Sequence, residues 1–286
     1  MGVNKSDIEL LTALRCHGHI GDGAAVVEIG AQLFSRSLLI APEPIDAICA
    51  AFGAEPFRFG EATRDSTPDG RGDAQGSNAS YARALWEWLG CSYAAIDVDG
   101  SPGAIPLDLN CDRTPPDMIG KFDVVTNCGT TEHIANQMNA FKVIHELCAP
   151  GGVMLHQLPA QGLMNHGLIN YNPKFFWMLA RSNGYKWLHA DLRMETQADP
   201  IPADVIAEMQ KFPTGFAERA EGYRTRDSRL FIVLQKWLDF PYAPPLDVPT
   251  GAAADNAEFK ERYWTVFDPP RFQKAIEEIV ARQTRG

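Results

Sequence analysis

Residues 122–159 read FDVVTNCGTTEHIANQMNAFKVIHELCAPGGVMLHQLP, and this stretch decides the fold of the 286-residue chain. An apolar run, a small polar turn, a helical segment, a Pro-Gly-Gly turn and a second apolar run follow one another. The pattern predicts two parallel strands joined by a crossover helix. Ligands of open parallel sheets bind beyond the carboxyl ends of the strands. The polar turn at 127–131 is therefore expected to border a ligand site.

The rest of the chain extends this pattern. Apolar runs predict five further strands, at 24–29, 93–98, 105–109, 186–194 and 229–237. Helical spacing predicts helices at 6–17, 42–53, 81–89, 173–183, 203–211 and 270–283. The alternation indicates an α/β fold: a doubly wound, mostly parallel seven-stranded sheet with an antiparallel edge strand and helices on both faces. We expect a single domain over 1–286, with a polar insertion at about 60–80 and an extended C-terminal segment, 240–286.

Composition narrows the class of partner. The formal net charge is -10 and no Lys/Arg cluster occurs, which argues against nucleic acid and favours a small molecule. No apolar stretch approaches the roughly 18–20 residues needed to cross a membrane, and the N-terminus lacks the apolar run of a signal peptide. The six cysteines form no CxxC pair, which predicts a reduced, cytoplasmic protein. Whether the chain forms a homo-oligomer is left open.

Two motifs resemble those of class I S-adenosylmethionine (SAM) dependent methyltransferases. One is the FDVV strand at 122–125, followed by the acid–His pair Glu132-His133 and the Pro-Gly-Gly turn. The other is the run from Glu28 to Gln32, which is similar to E-x-G-x-G-x-G but keeps only Gly30. Gln32 and Phe34 stand at the next two glycine positions. The resemblance implies a Rossmann-like sheet, SAM as cofactor and methyl transfer by in-line displacement.

The resemblance also implies cofactor-binding residues at the strand ends. The turn after the first strand would approach the methionine moiety, and the turn after the fourth strand would line the cofactor. Acids after the second and third strands would bind the ribose hydroxyls and the adenine amino group. The predicted residues are Glu28, Gly30, Ala31, Gln32, Asp97 with Asp99 as its alternative, Asp108 with the Leu109 backbone, Asn127, Gly129 and Thr130. Two simpler interpretations stay open: a turn at Asp99-Gly100 and a loop cap at Asp108.

Three histidines are candidate general bases for a methyl acceptor, because imidazole titrates near neutrality. They are His133 beside the fourth strand, and His156 and His166 after the fifth. His133 could instead be structural, and Glu132 could simply favour a helix dipole, with Thr130 or Thr131 as the cap. Glu132 and the histidines could together hold a metal, but no HxxxH or HxH spacing occurs, so no metal is predicted.

The sequence therefore predicts a SAM-dependent methyltransferase acting on a small-molecule acceptor. One alternative is a non-catalytic methyltransferase-like binding module, whose altered glycine motif no longer binds SAM. The other is a nicotinamide-dependent oxidoreductase built on the same sheet. That enzyme would need G-x-G-x-x-G where residues 30–35 read GAQLFS.

Overall fold

Seven strands form one sheet, in the order β3-β2-β1-β4-β5-β7-β6. The computed structural model describes residues 2–35, 38, 41–59, 81–98, 101, 103–163, 166–194, 227–248 and 256–283. The strands are β1 Ala25–Ile29, β2 Ser92–Ile96, β3 Ala104–Ile105, β4 Phe122–Cys128, β5 Cys148–Gln161, β6 Lys186–Met194 and β7 Ser228–Gln235. The helices are α1 Lys5–Cys16, α2 Glu43–Phe52, α3 Ala82–Trp88, α4 Gln137–Leu147, α5 Pro173–Asn183, α6 Ala257–Arg262, α7 Trp264–Phe267 and α8 Pro269–Gln283.

The strand directions confirm the predicted doubly wound sheet. Strands β1 to β5 run parallel to one another, whereas β7 is antiparallel to both β5 and β6. The mixed pair lies at the expected edge, with β6 outermost and β7 inside it. The predicted insertion at 60–80 and the predicted helix at 203–211 lie outside the described residues.

Apolar side chains cover both faces of the sheet. On one face Val153 and Leu155 of β5 join a cluster with α1, α2 and α3. On the other face Met154 and Leu158 pack with α4 and α5. Because successive side chains of a strand point to opposite faces, this alternation fixes which polar residues of β5 enter which core. Among the described helices none is long and apolar enough to cross a membrane.

Two elements differ from their predicted bounds near the strand ends. β3 stops at Ile105, because residues 108–112 fold into a turn instead of continuing the strand. After β4 the chain makes a 3-10 turn, Thr131–His133, before α4 begins at Gln137. The Asn136 side chain caps α4 by accepting from the Asn139 amide at 3.2 Å. The expectation that Thr130 or Thr131 caps this helix is therefore corrected.

Candidate functional site

The turn after β1 depends on a glycine. Gly30 has φ +79°, a conformation that residues with a side chain rarely adopt. Its amide donates to the Ile96 carbonyl at 2.7 Å, which ties the turn to the end of β2. A Cβ at this position would lie 2.3 Å from Thr130 Oγ1, in the turn after β4. Glycine therefore allows the β1 and β4 turns to touch.

The side chain of Gln32 closes the same turn. Its Nε2 lies 3.0 Å from the carbonyls of Ile29 and Gly30, and 3.1 Å from Thr130 Oγ1. Thr130 Oγ1 in turn donates to the Ile29 carbonyl at 2.6 Å. Gln32 is buried, and its Oε1 has no hydrogen-bond partner among the described residues. At the position where the resemblance expects a second glycine, the side-chain amide of Gln32 thus stabilises the turn. Its Oε1 remains without a hydrogen-bond donor.

Glu28 supports the turn from inside the core. Its carboxylate accepts hydrogen bonds from the backbone N–H of Gln32 at 3.0 Å, from Tyr93 Oη at 2.8 Å and from Trp86 Nε1 at 3.1 Å. Burial raises the pKa of Glu28 to about 7. The side chain is fully buried, so it shapes the turn from below. This corrects the prediction that Glu28 itself contacts a cofactor.

Asp97 lies at the carboxyl end of β2, half-buried beside the Gly30 turn. Its Oδ2 accepts from the Ala31 amide at 3.0 Å, which joins the ends of β1 and β2. A carboxylate can accept several hydrogen bonds, so this contact is compatible with a second, diol-type ligand. Asp99, the alternative acid, lies outside the described residues.

Hydrogen bonds within the loop after β3 stabilise its conformation. Asp108 Oδ1 accepts from the Asn110 amide at 2.8 Å and from Asn110 Nδ2 at 3.2 Å, which is the predicted loop cap. Leu109 is buried, and its carbonyl accepts from Asn139 Nδ2 at 2.9 Å. A contact of Asp108 or Leu109 with an adenine ring stays a prediction.

The turn after β4 is braced from beneath by Asn127. Its Oδ1 accepts from the Thr131 amide at 3.2 Å, and its Nδ2 lies 2.8 Å from Thr131 Oγ1 and 3.2 Å from His156 Nδ1. Asn127 is completely buried, so its side chain does not line the cleft and that prediction is corrected. Gly129 follows with φ +83° and turns the chain toward Thr130.

His156 is part of the core. It is 1% exposed, and its ring centroid lies 5.6 Å from that of Phe141 and 5.2 Å from that of Phe176. Burial lowers the pKa of His156 to about 3, so the imidazole is neutral near pH 7. A buried, neutral histidine cannot meet a substrate from the cleft. Its assignment as a general base is therefore corrected.

Of the group that the sequence offered as possible metal ligands, the structure brings Glu132, His133 and His166 together, without His156. Glu132 Oε1 lies 3.4 Å from His166 Nε2 and 3.9 Å from His133 Nε2. The Glu132 side chain is fully buried, whereas the side chains of His166 and His133 are 28% and 45% exposed. Burial also lowers the pKa of His133 from its ordinary value. The cluster follows β4 directly and is joined by the loop after β5.

A groove lined by described residues lies away from the strand ends. It measures about 840 Å³ and runs between α4 and the C-terminal helices, past Phe240 and Trp264. The strand-end turns do not line this groove. The polar groups at the strand ends, rather than the groove volume, therefore define the candidate site.

Residues 71–209 match the model of a family described as a methyltransferase domain. The match spans just under half of the chain and begins after β1, while the strand order extends the agreement to the whole sheet. Residues 71–209 are therefore similar to a methyltransferase domain. No curated protein matches the sequence.

The solved structures that are similar to this chain are distant. The 1,6-didemethyltoxoflavin-N1-methyltransferase of Burkholderia thailandensis, bound to 1,6-didemethyltoxoflavin and S-adenosylhomocysteine, is 13% identical, with a TM-score of 0.40. The alignment covers 80% of this chain and 77% of that one. A SAM-dependent methyltransferase of Archaeoglobus fulgidus is 10% identical, with a TM-score of 0.39 and coverage of 80% and 94%. This likeness carries no conclusion about cofactor or substrate.

Proposed function

We propose that this methyltransferase uses SAM to methylate a small-molecule acceptor. One observation carries the proposal: the Gly30 turn meets Asp97 of β2 and Thr130 after β4 at the carboxyl edge of the sheet. This is the edge at which open α/β sheets bind their ligands. The methyltransferase-domain match supports the reaction class.

The polar groups at this edge suit the donors of SAM. Its ribose hydroxyls and its ammonium group all donate hydrogen bonds. Asp97 offers a half-buried carboxylate, and Gln32 offers the buried Oε1 that lacks a partner. An unsatisfied buried acceptor costs free energy, so a ligand that donates to it is favoured. Asp97 and Gln32 are the residues we assign to this cofactor.

A nicotinamide dinucleotide suits the same edge less well. Its pyrophosphate needs backbone N–H groups at the start of a helix that follows the first strand. Here residues 31–35 stay extended, with Leu33 bridging to Tyr81 and Phe34 bridging to Val3. Residues 31–35 themselves therefore offer no helix N-terminus to a pyrophosphate.

SAM supplies the methyl group when it is bound, and the chain supplies alignment. In-line displacement depends on holding the acceptor atom close to the methyl group and in line with it. We place the acceptor beside His133 and His166, whose partly exposed rings follow the β4 turn. If the acceptor must lose a proton, His133 or His166 would take it. The buried His156, which the sequence offered as a third candidate base, would not.

A titration with adenosyl ligands tests the proposal. Calorimetry of the purified chain with SAM, S-adenosylhomocysteine and NAD should show saturable binding of the two adenosyl ligands only. Methyl transfer would then be sought with labelled SAM across alcohols, phenols and amines. Binding of NAD without binding of SAM would overturn the proposal.

A second candidate is a non-catalytic binding module. The observation that favours it is that Gln32 and Phe34 occupy positions where the resemblance expects glycine, and that Gln32 packs into the turn. Such a module would bind neither SAM nor S-adenosylhomocysteine. The same titration therefore separates the two candidates. A cytoplasmic location and a homo-oligomer stay predictions.

A further inference from the structure

We propose that Glu132, His133 and His166 bind a divalent transition-metal ion such as Zn²⁺. The sequence offered Glu132 and the histidines as possible metal ligands but predicted no metal, because they show no ligand spacing along the chain. The fold brings them together: one donor atom from each residue lies within 4.8 Å of the other two. Metal binding at this cluster goes beyond the proposed methyl transfer and does not depend on it.

The distances inside the cluster suit a shared ion better than direct hydrogen bonds. Glu132 Oε1 lies 3.4 Å from His166 Nε2 and 3.9 Å from His133 Nε2. A hydrogen bond from an imidazole N–H would be shorter, at about 2.7–3.2 Å. Two ligands that each lie about 2.1 Å from a tetrahedral Zn²⁺ ion are roughly 3.4 Å apart. Glu132 Oε1 and His166 Nε2 thus have the separation of two ligands of one Zn²⁺ ion, and His133 Nε2 would need to move closer to join them.

The environment of the Glu132 carboxylate also favours a bound cation. Glu132 is 0% exposed, and neither of its oxygens has a hydrogen-bond partner in the described part of the chain. A buried carboxylate is costly unless it is paired or coordinates a metal. His166 Nε2 is also buried without a hydrogen-bond partner. A cation between these atoms would satisfy both at once.

The backbone holds the two halves of the site together. The amides of Leu168 and Ile169 donate to the Glu132 carbonyl at 2.8 and 3.1 Å. Gly167 makes this approach feasible, because a Cβ there would lie 2.7 Å from Glu132 Cγ. His166 is therefore fixed over Glu132 by main-chain contacts that need no metal. Such preorganisation is what a ligand set requires.

The ligand types select the class of ion. Two imidazoles and one carboxylate suit Zn²⁺ and Fe²⁺, whereas Mg²⁺ and Ca²⁺ prefer oxygen ligands alone. Three protein ligands leave at least one coordination position open. The side chains of His133 and His166 are partly exposed, whereas Glu132 is buried. An oxygen or nitrogen atom of a bound small molecule could occupy the open position.

Metal titration of the full chain tests the proposal. After treatment with a chelator and dialysis, the protein is titrated calorimetrically with Zn²⁺ and, separately, with Mg²⁺. Co²⁺ serves as a spectroscopic probe, since a site with low coordination number gives intense visible bands. The variants are Glu132→Gln and His166→Asn. The matched control is His17→Asn, an exposed histidine after α1, far from the carboxyl edge of the sheet.

We expect saturable Zn²⁺ binding and Co²⁺ bands in the native chain and in His17→Asn. Both cluster variants should bind Zn²⁺ at least about tenfold more weakly. His166→Asn keeps the test decisive should Glu132→Gln fold poorly, because its side chain is partly exposed. Three results would overturn the proposal: no saturable Zn²⁺ binding, equal binding by both cluster variants, or binding of Mg²⁺ in preference to Zn²⁺. SAM binding is measured separately, so failure of either proposal is visible on its own.

Discussion

Replacing Gly30 by Ala should destabilise the protein by about 2–5 kcal/mol. The new Cβ meets Thr130 Oγ1 at 2.3 Å and Gln32 Nε2 at 3.0 Å, in a backbone with φ +79°. The backbone term is about 1–2 kcal/mol for a non-glycine residue in the left-handed region. Displacing Thr130 also breaks its bonds to Ile29 and Gln32, at about 0.5–1.5 kcal/mol each. The clash and the backbone term can be separated experimentally.

A double-mutant cycle with Thr130→Ala provides that separation, measured by chemical unfolding followed by tryptophan fluorescence. Without the Thr130 side chain, Gly30→Ala should cost only the backbone term, so the two changes should couple by the hydrogen-bond term of about 1–3 kcal/mol. Gly120→Ala is the matched control, because Gly120 has φ +65° and nothing within 4 Å of the added Cβ. Equal costs of Gly30→Ala with and without Thr130 would refute the contact between the β1 and β4 turns.

Two further substitutions test the buried polar groups. The pKa of Glu28 is about 7 when folded and 4.5 as its ordinary value, so the native protein loses stability as pH rises through this window. Glu28→Gln has no ionisable group here and lacks that loss. Between pH 4 and pH 8 its free energy of unfolding should therefore rise by about 3 kcal/mol relative to that of the native chain. A difference that does not change with pH would contradict the buried carboxylate. His156→Leu should change unfolding stability but leave the pH profile of methyl transfer unmoved. Loss of the acidic limb in that profile would restore His156 as a base.

The sheet was predictable because its strands are covered on both faces. Buried parallel strands read as apolar runs, and short apolar runs at residues 24–27, 124–125 and 153–155 mark β1, β4 and β5. Helix α5 was equally clear, since Pro173 begins it and Gly184 ends it with φ +60°. These signals are local, so they need no knowledge of the tertiary structure. The seven-stranded order followed from the resemblance and is confirmed.

The candidate site was harder to predict, because side-chain direction and loop contacts decide it. His156 shares its parity with the buried Met154 and Leu158, and that alternation was the available signal for a core position. An aspartate suits a strand end and a turn equally well, so the sequence did not distinguish an adenine-binding role for Asp108 from a loop cap. The meeting of Glu132 with His166 depends on how the loop after β5 folds back. No spacing along the chain records that contact.

The affinity of Asp97→Asn for S-adenosylhomocysteine tests the central claim most directly. Asparagine keeps an oxygen for the Ala31 amide but loses the charge that would bind the ribose hydroxyls. Asp123→Asn is the matched control, because Asp123 accepts from the Ala25 amide at 2.8 Å at the opposite end of β1. We predict that Asp97→Asn weakens binding by roughly tenfold to a hundredfold, as loss of a charge-assisted hydrogen bond does, while Asp123→Asn binds as the native chain does. Unchanged affinity in Asp97→Asn would contradict the cofactor site proposed for the ends of β1 and β2.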